Sequence, residues 1–364
     1  MMRPPSASRP DLVVLGAGIA GLTVALASAD RGAHVVVLDQ PRQGSASRAS
    51  AGMLAPSVEG LPDGVLSAAV AARDLYPAYV EMLAARTGLR VALNRDGILE
   101  VASDRAHFAT LSASAGANAT VLDEAALASL ESALAGHAGA LLHASDGAVD
   151  NVVLMEALER AVSTTAGIQR RGADVVRVDL TTDDPAFVTS DGTRWGAPRL
   201  LLAGGAWAAS LAGLPRSLPV RPVRGQLLLL GSAPVRHVIY GGGGYLVPRG
   251  GHLLVGATSE DAGFVNEATD DGRTALMTIA ARAVPALANA DVVGHWAGLR
   301  PMSPDGLPIA GPDPDYPALL YACGYSRNGI LFAPWCAGHL AAAIAGAEPP
   351  REMLPFSVNR LKYH

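Results

Sequence analysis

Three glycines spaced as Gly16-Ala-Gly18-Ile-Ala-Gly21 stand between an apolar run and a segment of helical character. The run before them, Asp11-Leu-Val-Val-Leu15, suits a strand buried on both faces. Leu22 to Arg31 has helical character, Gly32 ends it, and His34-Val-Val-Val-Leu38 is a second buried strand closing at Asp39. This is a βαβ unit, so the strands should run parallel with a right-handed crossover. Glycine spacing alone means little in a chain with 40 glycines. The preceding strand, the following helix and an acidic residue about twenty positions on give it meaning. Gly16 allows the tight turn, Gly18 lets the backbone approach a pyrophosphate, and Gly21 permits close helix–strand packing. The helix start at Ile19 and Ala20 offers N–H groups and a positive dipole end to phosphates. Asp39, followed by Gln40, is placed to accept from the hydroxyls of an adenosine ribose, and its charge disfavours the 2′-phosphate of NADP. NAD and FAD both stay open on this reading.

Composition narrows the class of protein. Half of the 364 residues are hydrophobic and 17% are charged, which suits a compact fold of two structural units. A net charge of -5 with almost no lysine gives no reason to expect nucleic acid. Cys323 and Cys336 make neither a disulfide framework nor a metal-ligand cluster, so no metal is expected and a reduced, cytoplasmic setting fits. The apolar stretch Leu12 to Ala29 carries the glycine turn and ends in Asp30-Arg31-Gly32, which reads as strand–turn–helix rather than a signal peptide or membrane span. Met1 to Pro10 reads as a frayed tail.

Further along, Leu66 to Arg86 reads as one helix and Val91 to Val101 as a strand pair turned at Asn94-Arg-Asp-Gly97. Ser112 to Asn118 is weakly patterned, and Asp123 caps a helix to Leu130. A helix over Asp150 to Val162, a strand over Asp174 to Asp179 and a buried strand Arg199 to Ala203, stopped by Gly204-Gly205, follow. Gly225 to Leu230, Val235 to Tyr240, Gly244 to Val247 and His252 to Gly256 are short strands at hairpin spacing. Asp271 to Ala283 is helical, Leu319 to Ala322 is a strand, and a last helix runs from Pro334 in its first turn to Ala345. The expected fold is α/β with an α+β second domain: a Rossmann-like nucleotide domain interleaved with a mostly antiparallel one. The nucleotide domain is expected at residues 1–88, 146–216 and 298–364, and the substrate domain at 89–145 and 217–297.

Three segments carry a family likeness: Arg48-Ala-Ser-Ala-Gly-Met-Leu54, Gly298-Leu-Arg-Pro-Met-Ser-Pro-Asp-Gly-Leu-Pro308 and Gly324-Tyr-Ser-Arg-Asn-Gly-Ile330. With them the chain resembles the FAD-dependent D-amino-acid-oxidase-like family, and within it the glycine oxidases of thiamine biosynthesis. The resemblance runs from the glycine fingerprint to the last helix. It implies non-covalent FAD, a small amino-acid substrate, reoxidation by molecular oxygen and a homo-oligomer. Ser50, Ala51, Gly52 and Met53 then fall near the flavin ring, Val175 or Val176 reads the adenine, and Ala203, Gly204 and Gly205 border the cofactor. Gly324 and Arg327, Asn328, Gly329 and Ile330 match the loop at the flavin pyrimidine edge. Arg300 matches the arginine that grips the substrate carboxylate, with Tyr245 and Arg327 as auxiliary contacts. Two positions depart from relatives. Gly298 stands near where sarcosine oxidases attach flavin through cysteine, which excludes that bond, and Ser259 replaces a bulky apolar residue that glycine oxidases tend to carry.

The implied reaction moves a hydride from Cα to flavin N5, giving an imine that hydrolyses to an oxo acid and ammonia, with hydrogen peroxide as co-product. A guanidinium suits a carboxylate because it binds bidentately and so sets rotation as well as distance. No histidine or carboxylate stands out as a required acid or base. His252, His295 and His339 read as core or surface residues, Trp296 and Trp335 as packing, with a pocket wall the alternative for Trp296, and Cys323 as a small buried residue. Gly241 to Gly244 reads as a hairpin or lid, since no phosphate-loop lysine follows. Two other functions fit the sequence: a flavin dehydrogenase passing electrons to a quinone or carrier, and a non-catalytic FAD-binding subunit.

Overall fold

The computed structural model describes residues 9–116, 118–181 and 183–361, which leaves most of the leader outside the described residues. β1 (Leu12–Leu15), α1 (Ile19–Ala29) and β2 (Val35–Asp39) form where the fingerprint places them. β1 and β2 pair in parallel, with Leu12 beside Val35 and Leu15 beside Leu38. They sit inside a six-stranded sheet whose order is Ile309–Pro312, Leu319–Cys323, Arg199–Leu202, β1, β2, Ile168–Gly172. Only the pairing of Ile309–Pro312 with Leu319–Cys323 is antiparallel in that sheet.

Successive residues of β1 serve opposite faces, as a pleat requires. Leu12 and Val14 pack with Leu22 and with Phe332 of the last helix, while Val13 packs with Val36, Phe187 and Tyr321. A fully buried Leu22 contributes roughly 1.5–3 kcal/mol. The strand expected at Asp174 begins at Val175 and joins a small antiparallel sheet under that second face. No helix among the described residues is long and apolar enough to cross a membrane, and the Leu12–Ala29 stretch is split between β1, the turn and α1.

A second, eight-stranded sheet is built mainly from residues after Arg221. Arg221–Leu230 and Val292–Met302 are its long antiparallel pair, with Gly225 opposite Gly298 and Val223 opposite Arg300. Val238–Gly241, Gly244–Arg249 and His252–Gly256 form the expected antiparallel ladder, and Gly241 to Gly244 is its hairpin turn. Ile98–Val101 joins it in parallel beside Val238–Gly241, so the sheet is mixed. The expected boundary at 297/298 lies inside Val292–Met302, which runs on unbroken to Met302.

Four local expectations need correction. The helix expected from Leu66 to Arg86 is two, Asp63–Asp74 and Tyr76–Thr87, because Pro77 brings no N–H and its ring cannot follow an unbroken turn. The strands on either side of Asn94–Gly97 do not pair with each other. The turn forms, with Asp96 N–H on Asn94 Oδ1 at 3.1 Å, but Leu93–Asn94 pairs with Gly147–Val149 and Ile98–Val101 with Gly139–His143. A helix, Arg105–Ala113, runs into the start of the weakly patterned segment, its own start fixed by Asp104 accepting from His107 N–H at 2.8 Å. The last helix spans Gly329–Ile344, so Pro334 lies within it rather than in its first turn. The carbonyl that Pro334 leaves without a helical donor is that of Ile330, and the Tyr76 hydroxyl donates to it.

Candidate active site

The glycine turn is built as its spacing requires. Gly16 has φ +111°, and a Cβ there would strike the carbonyl of Ala203. A Cβ on Gly21 would strike the carbonyl of Gly16 and crowd Val14, so α1 lies against β1 more closely than any other residue permits. At Gly18 a Cβ would meet no backbone, only the Ser47 Oγ at 3.2 Å, a tight contact with a side chain. The same Ser47 Oγ accepts from Ile19 N–H at 3.0 Å, and Asp39 Oδ1 accepts from Ala17 N–H at 3.0 Å, which ties the end of β2 to the turn.

A cavity of about 610 Å³ runs from this turn to the second sheet. Gly16, Gly18, Ile19 and Ala20 line its start, with Asp39 and Gln40 beside them. Val175, Val176, Ala203, Gly204 and Gly205 line the same end. Ser50, Ala51, Gly52 and Met53 line it as well, as do Arg327, Gly329 and Ile330. Gly21 packs beneath the turn and does not reach the cavity. Gly324, beside Ile309, and Asn328, the buried residue preceding the last helix, also stand behind the wall rather than in it. The first turn of that helix, at Gly329 and Ile330, faces the cavity with N–H groups that have no earlier helical carbonyl to bind.

At the far end stand Arg300 and Tyr245. The Arg300 guanidinium lies over Gly225, where any side chain would collide with it, and Nη1 donates to the Thr258 carbonyl at 2.9 Å. Thr258 is itself held. Its Oγ1 accepts from Gln226 N–H at 2.9 Å and donates to Glu260, whose carboxylate also accepts from Gln226 Nε2 at 2.8 Å and from Arg224 Nε at 3.0 Å. Arg300 therefore rests on a part-buried network. Tyr245 lies over Gly256, and burial pushes its hydroxyl above the usual range against the pull of Arg300 and Arg327. Arg327 pairs with Glu59, Nε to Oε2 at 3.2 Å. Arg300, Tyr245 and Arg327 line a second, neighbouring cavity of about 390 Å³ as well, together with Ser259 and the Gly241–Gly244 hairpin.

Several lining residues escaped the sequence reading. Ser47 lies on a one-turn helix, Ala46–Ala49, too short to show a period. Trp207, which holds Arg42 over its ring at 5.5 Å and stacks on Phe264, follows the glycine pair that ends Arg199–Leu202. Glu59 is the one acidic residue between Asp39 and Asp63, a signal that was available. Trp296 does not wall the cavity but steadies it, donating to the Ala49 carbonyl at 3.1 Å. Cys323 borders the cavity, yet burial pushes its thiol up to about 12, which makes it an inert packing residue.

A single cavity thus joins the glycine turn to an anchored guanidinium, with the start of the last helix in its lining. The chain belongs to the FAD dependent oxidoreductase family, whose pattern matches residues 11–343. It is 32% identical to a glycine oxidase of Geobacillus kaustophilus over 368 residues, covering 97% of both chains. The solved structure of a glycine oxidase from that organism superposes with a TM-score of 0.89 at 30% identity, covering 97% of this chain and 99% of the other. It is also 34% identical to the bifunctional protein ThiO/ThiG of Synechocystis sp. over 336 residues, covering 89% of this chain but only 50% of that relative. These likenesses place the chain among FAD-dependent amino acid oxidases of glycine-oxidase type.

Proposed function

We propose that the protein oxidises glycine, and more slowly sarcosine or small D-amino acids, to the oxo acid with release of the amine and hydrogen peroxide. The observation that carries this reading is Arg300, fixed over Gly225 and on the Thr258 carbonyl with its remaining donors toward the cavity. A carboxylate bound there bidentately leaves its Cα turned in one direction, and such orientation removes a large part of a reaction's entropic barrier. FAD, when bound, supplies the hydride acceptor and passes the electron pair to oxygen.

The residues present fit that cofactor. The turn at Gly16 and Gly18 and the start of α1 would hold the pyrophosphate, with Gly21 letting the helix pack beneath it, and Asp39 would hold the ribose. Val175 and Val176 would border the adenine, and Ala51, Gly52 and Met53 the ring. The start of the last helix would stabilise negative charge at the pyrimidine edge. Gly298 offers no thiol, which supports a non-covalent cofactor. The wider relationship to the ThiO/ThiG protein supports a place in thiamine biosynthesis.

The test is the visible spectrum of the purified protein before and after glycine without oxygen. Bleaching of a flavin spectrum, then recovery in air with peroxide formed, supports the proposal. A flavin spectrum that responds to proline but yields no peroxide in air moves the protein to the dehydrogenases.

A further inference from the structure

Glu59 is a buried carboxylate that the reaction as proposed leaves unused. Its side chain is 9% exposed and lines the main cavity beside Arg300, Tyr245 and Arg327. Its hydrogen bonding is sparse: Arg327 Nη2 donates to Oε1 at 3.4 Å and Nε stands 3.2 Å from Oε2. Arg300 and Arg327 act on it electrostatically, and it acts in turn on Tyr245, while Tyr240 shares Arg327. The other acidic side chains lining the cavity are engaged elsewhere. Asp39 accepts from Ala17, Glu159 pairs with Arg48 at 2.7 Å, and Asp174 faces Arg42 at 3.9 Å.

An amino acid arrives as a zwitterion. Arg300 answers its carboxylate, which leaves the ammonium group in a region whose remaining fixed charges are Arg327 and Glu59. A cation there meets repulsion from one and attraction from the other, so it settles against the carboxylate. The nitrogen must also lose a proton before Cα can release a hydride, since only its lone pair can form the C=N bond.

We propose that Glu59 receives the substrate ammonium group and takes its proton before the Cα–H bond breaks. One N–H bond breaks and its electron pair stays on nitrogen. One O–H bond forms on Glu59, and no oxidation state changes. Burial holds the Glu59 carboxyl above its ordinary range against the pull of Arg327 and Arg300, which makes it a better proton acceptor than an exposed glutamate. The assignment rests on the amino-acid-oxidase reading given above.

The simpler role for Glu59 is to anchor Arg327, and the experiment separates the two. E59Q and E59D are purified as holoproteins of normal flavin content. Binding of acetate, a carboxylate without an amine, is read from the flavin absorbance, and kcat/KM for glycine is measured against pH. E59Q should lose about 100-fold in kcat/KM near neutral pH, the usual scale for removing a proton acceptor. The deficit should shrink as pH rises and the free amine becomes abundant. Acetate binding should change less than threefold, and E59D should recover at least tenfold over E59Q. Equal weakening of acetate and glycine, or a deficit independent of pH, overturns the proposal in favour of an anchor for Arg327. Wild-type flavin that neither glycine nor sarcosine reduces overturns the function itself and this role with it.

Discussion

The Tyr76 hydroxyl donates to the Ile330 carbonyl, the acceptor that Pro334 cannot serve from within its own helix. Tyr76 is fully buried, and Ile330 lines the main cavity in the first turn of that helix. A proline that would otherwise leave an orphaned polar group at the cofactor end of the helix is thus accommodated by a side chain from another helix.

Tyr76→Phe should therefore destabilise the protein by about 1–3 kcal/mol, the cost of an unpaired buried carbonyl. Flavin release on heating, followed by fluorescence, should come several degrees earlier than in wild type. An unchanged melting profile would remove the role given to this bond.

Arg300→Ala should keep its flavin and lose tenfold or more in binding of glycine and of acetate, because charged hydrogen bonds contribute roughly 1.5–3 kcal/mol each. Arg300→Lys should recover only part, since an ammonium group cannot grip both carboxylate oxygens in one plane. Titration of acetate into each holoprotein checks this, and wild-type affinity in Arg300→Ala would sink the substrate-site assignment.

Gly18→Val and Gly21→Val should fail differently. A side chain at 21 meets backbone within the protein and should lower stability and yield. One at 18 meets little but Ser47, so a folded, colourless protein is expected, with circular dichroism like that of flavin-stripped wild type. A fully yellow Gly18→Val protein is the result that contradicts the pyrophosphate site.

Acid stability should depend on Glu131. Although burial opposes its charge, the Glu131 carboxylate accepts from the backbone of Arg236 and His237, both at 2.9 Å, and from the His237 ring at 2.6 Å. These bonds hold its carboxyl below the usual range. A carboxyl that binds its proton less tightly when folded stabilises the protein above its unfolded pKa, near 4.5, and that contribution is lost as pH falls through the folded value. Glu131→Gln should be less stable than wild type at pH 7, and the gap should close toward pH 3. A gap of constant size across a urea-denaturation series in pH would refute this.

What was legible in the residues was local or carried by likeness. Gly21 collides, when given a side chain, with Gly16 of its own βαβ unit, so glycines set between a strand and a helix announce that packing, whereas the Ala203 carbonyl that Gly16 must avoid lies far along the chain. The Asn94 turn was legible for the same reason, since its hydrogen bond spans two residues. Which strands then leave it for which sheet depends on Gly139–His143 and Gly147–Val149, and nothing near Asn94 encodes them. Glu59 and Arg327 lie 268 positions apart, and Tyr76 and Ile330 lie 254 apart. Pro334 read as a helix start because a first turn is where proline needs no donor. The donor supplied from Tyr76 made the interior position tolerable.

The order of the six-stranded sheet bears on how the protein comes into being. β1 and β2 are made before Arg199–Leu202, with which β1 pairs on its other side, and that strand in turn awaits Leu319–Cys323. Closing such distant pairings is slow, because chain entropy is lost before any contact rewards it. The nascent chain therefore carries an apolar strand with one bare edge until Arg199–Leu202 has followed. The cavity beside the glycine turn is also lined by Ala203 and by Gly329 and Ile330, so it is complete only once those later segments have joined the sheet.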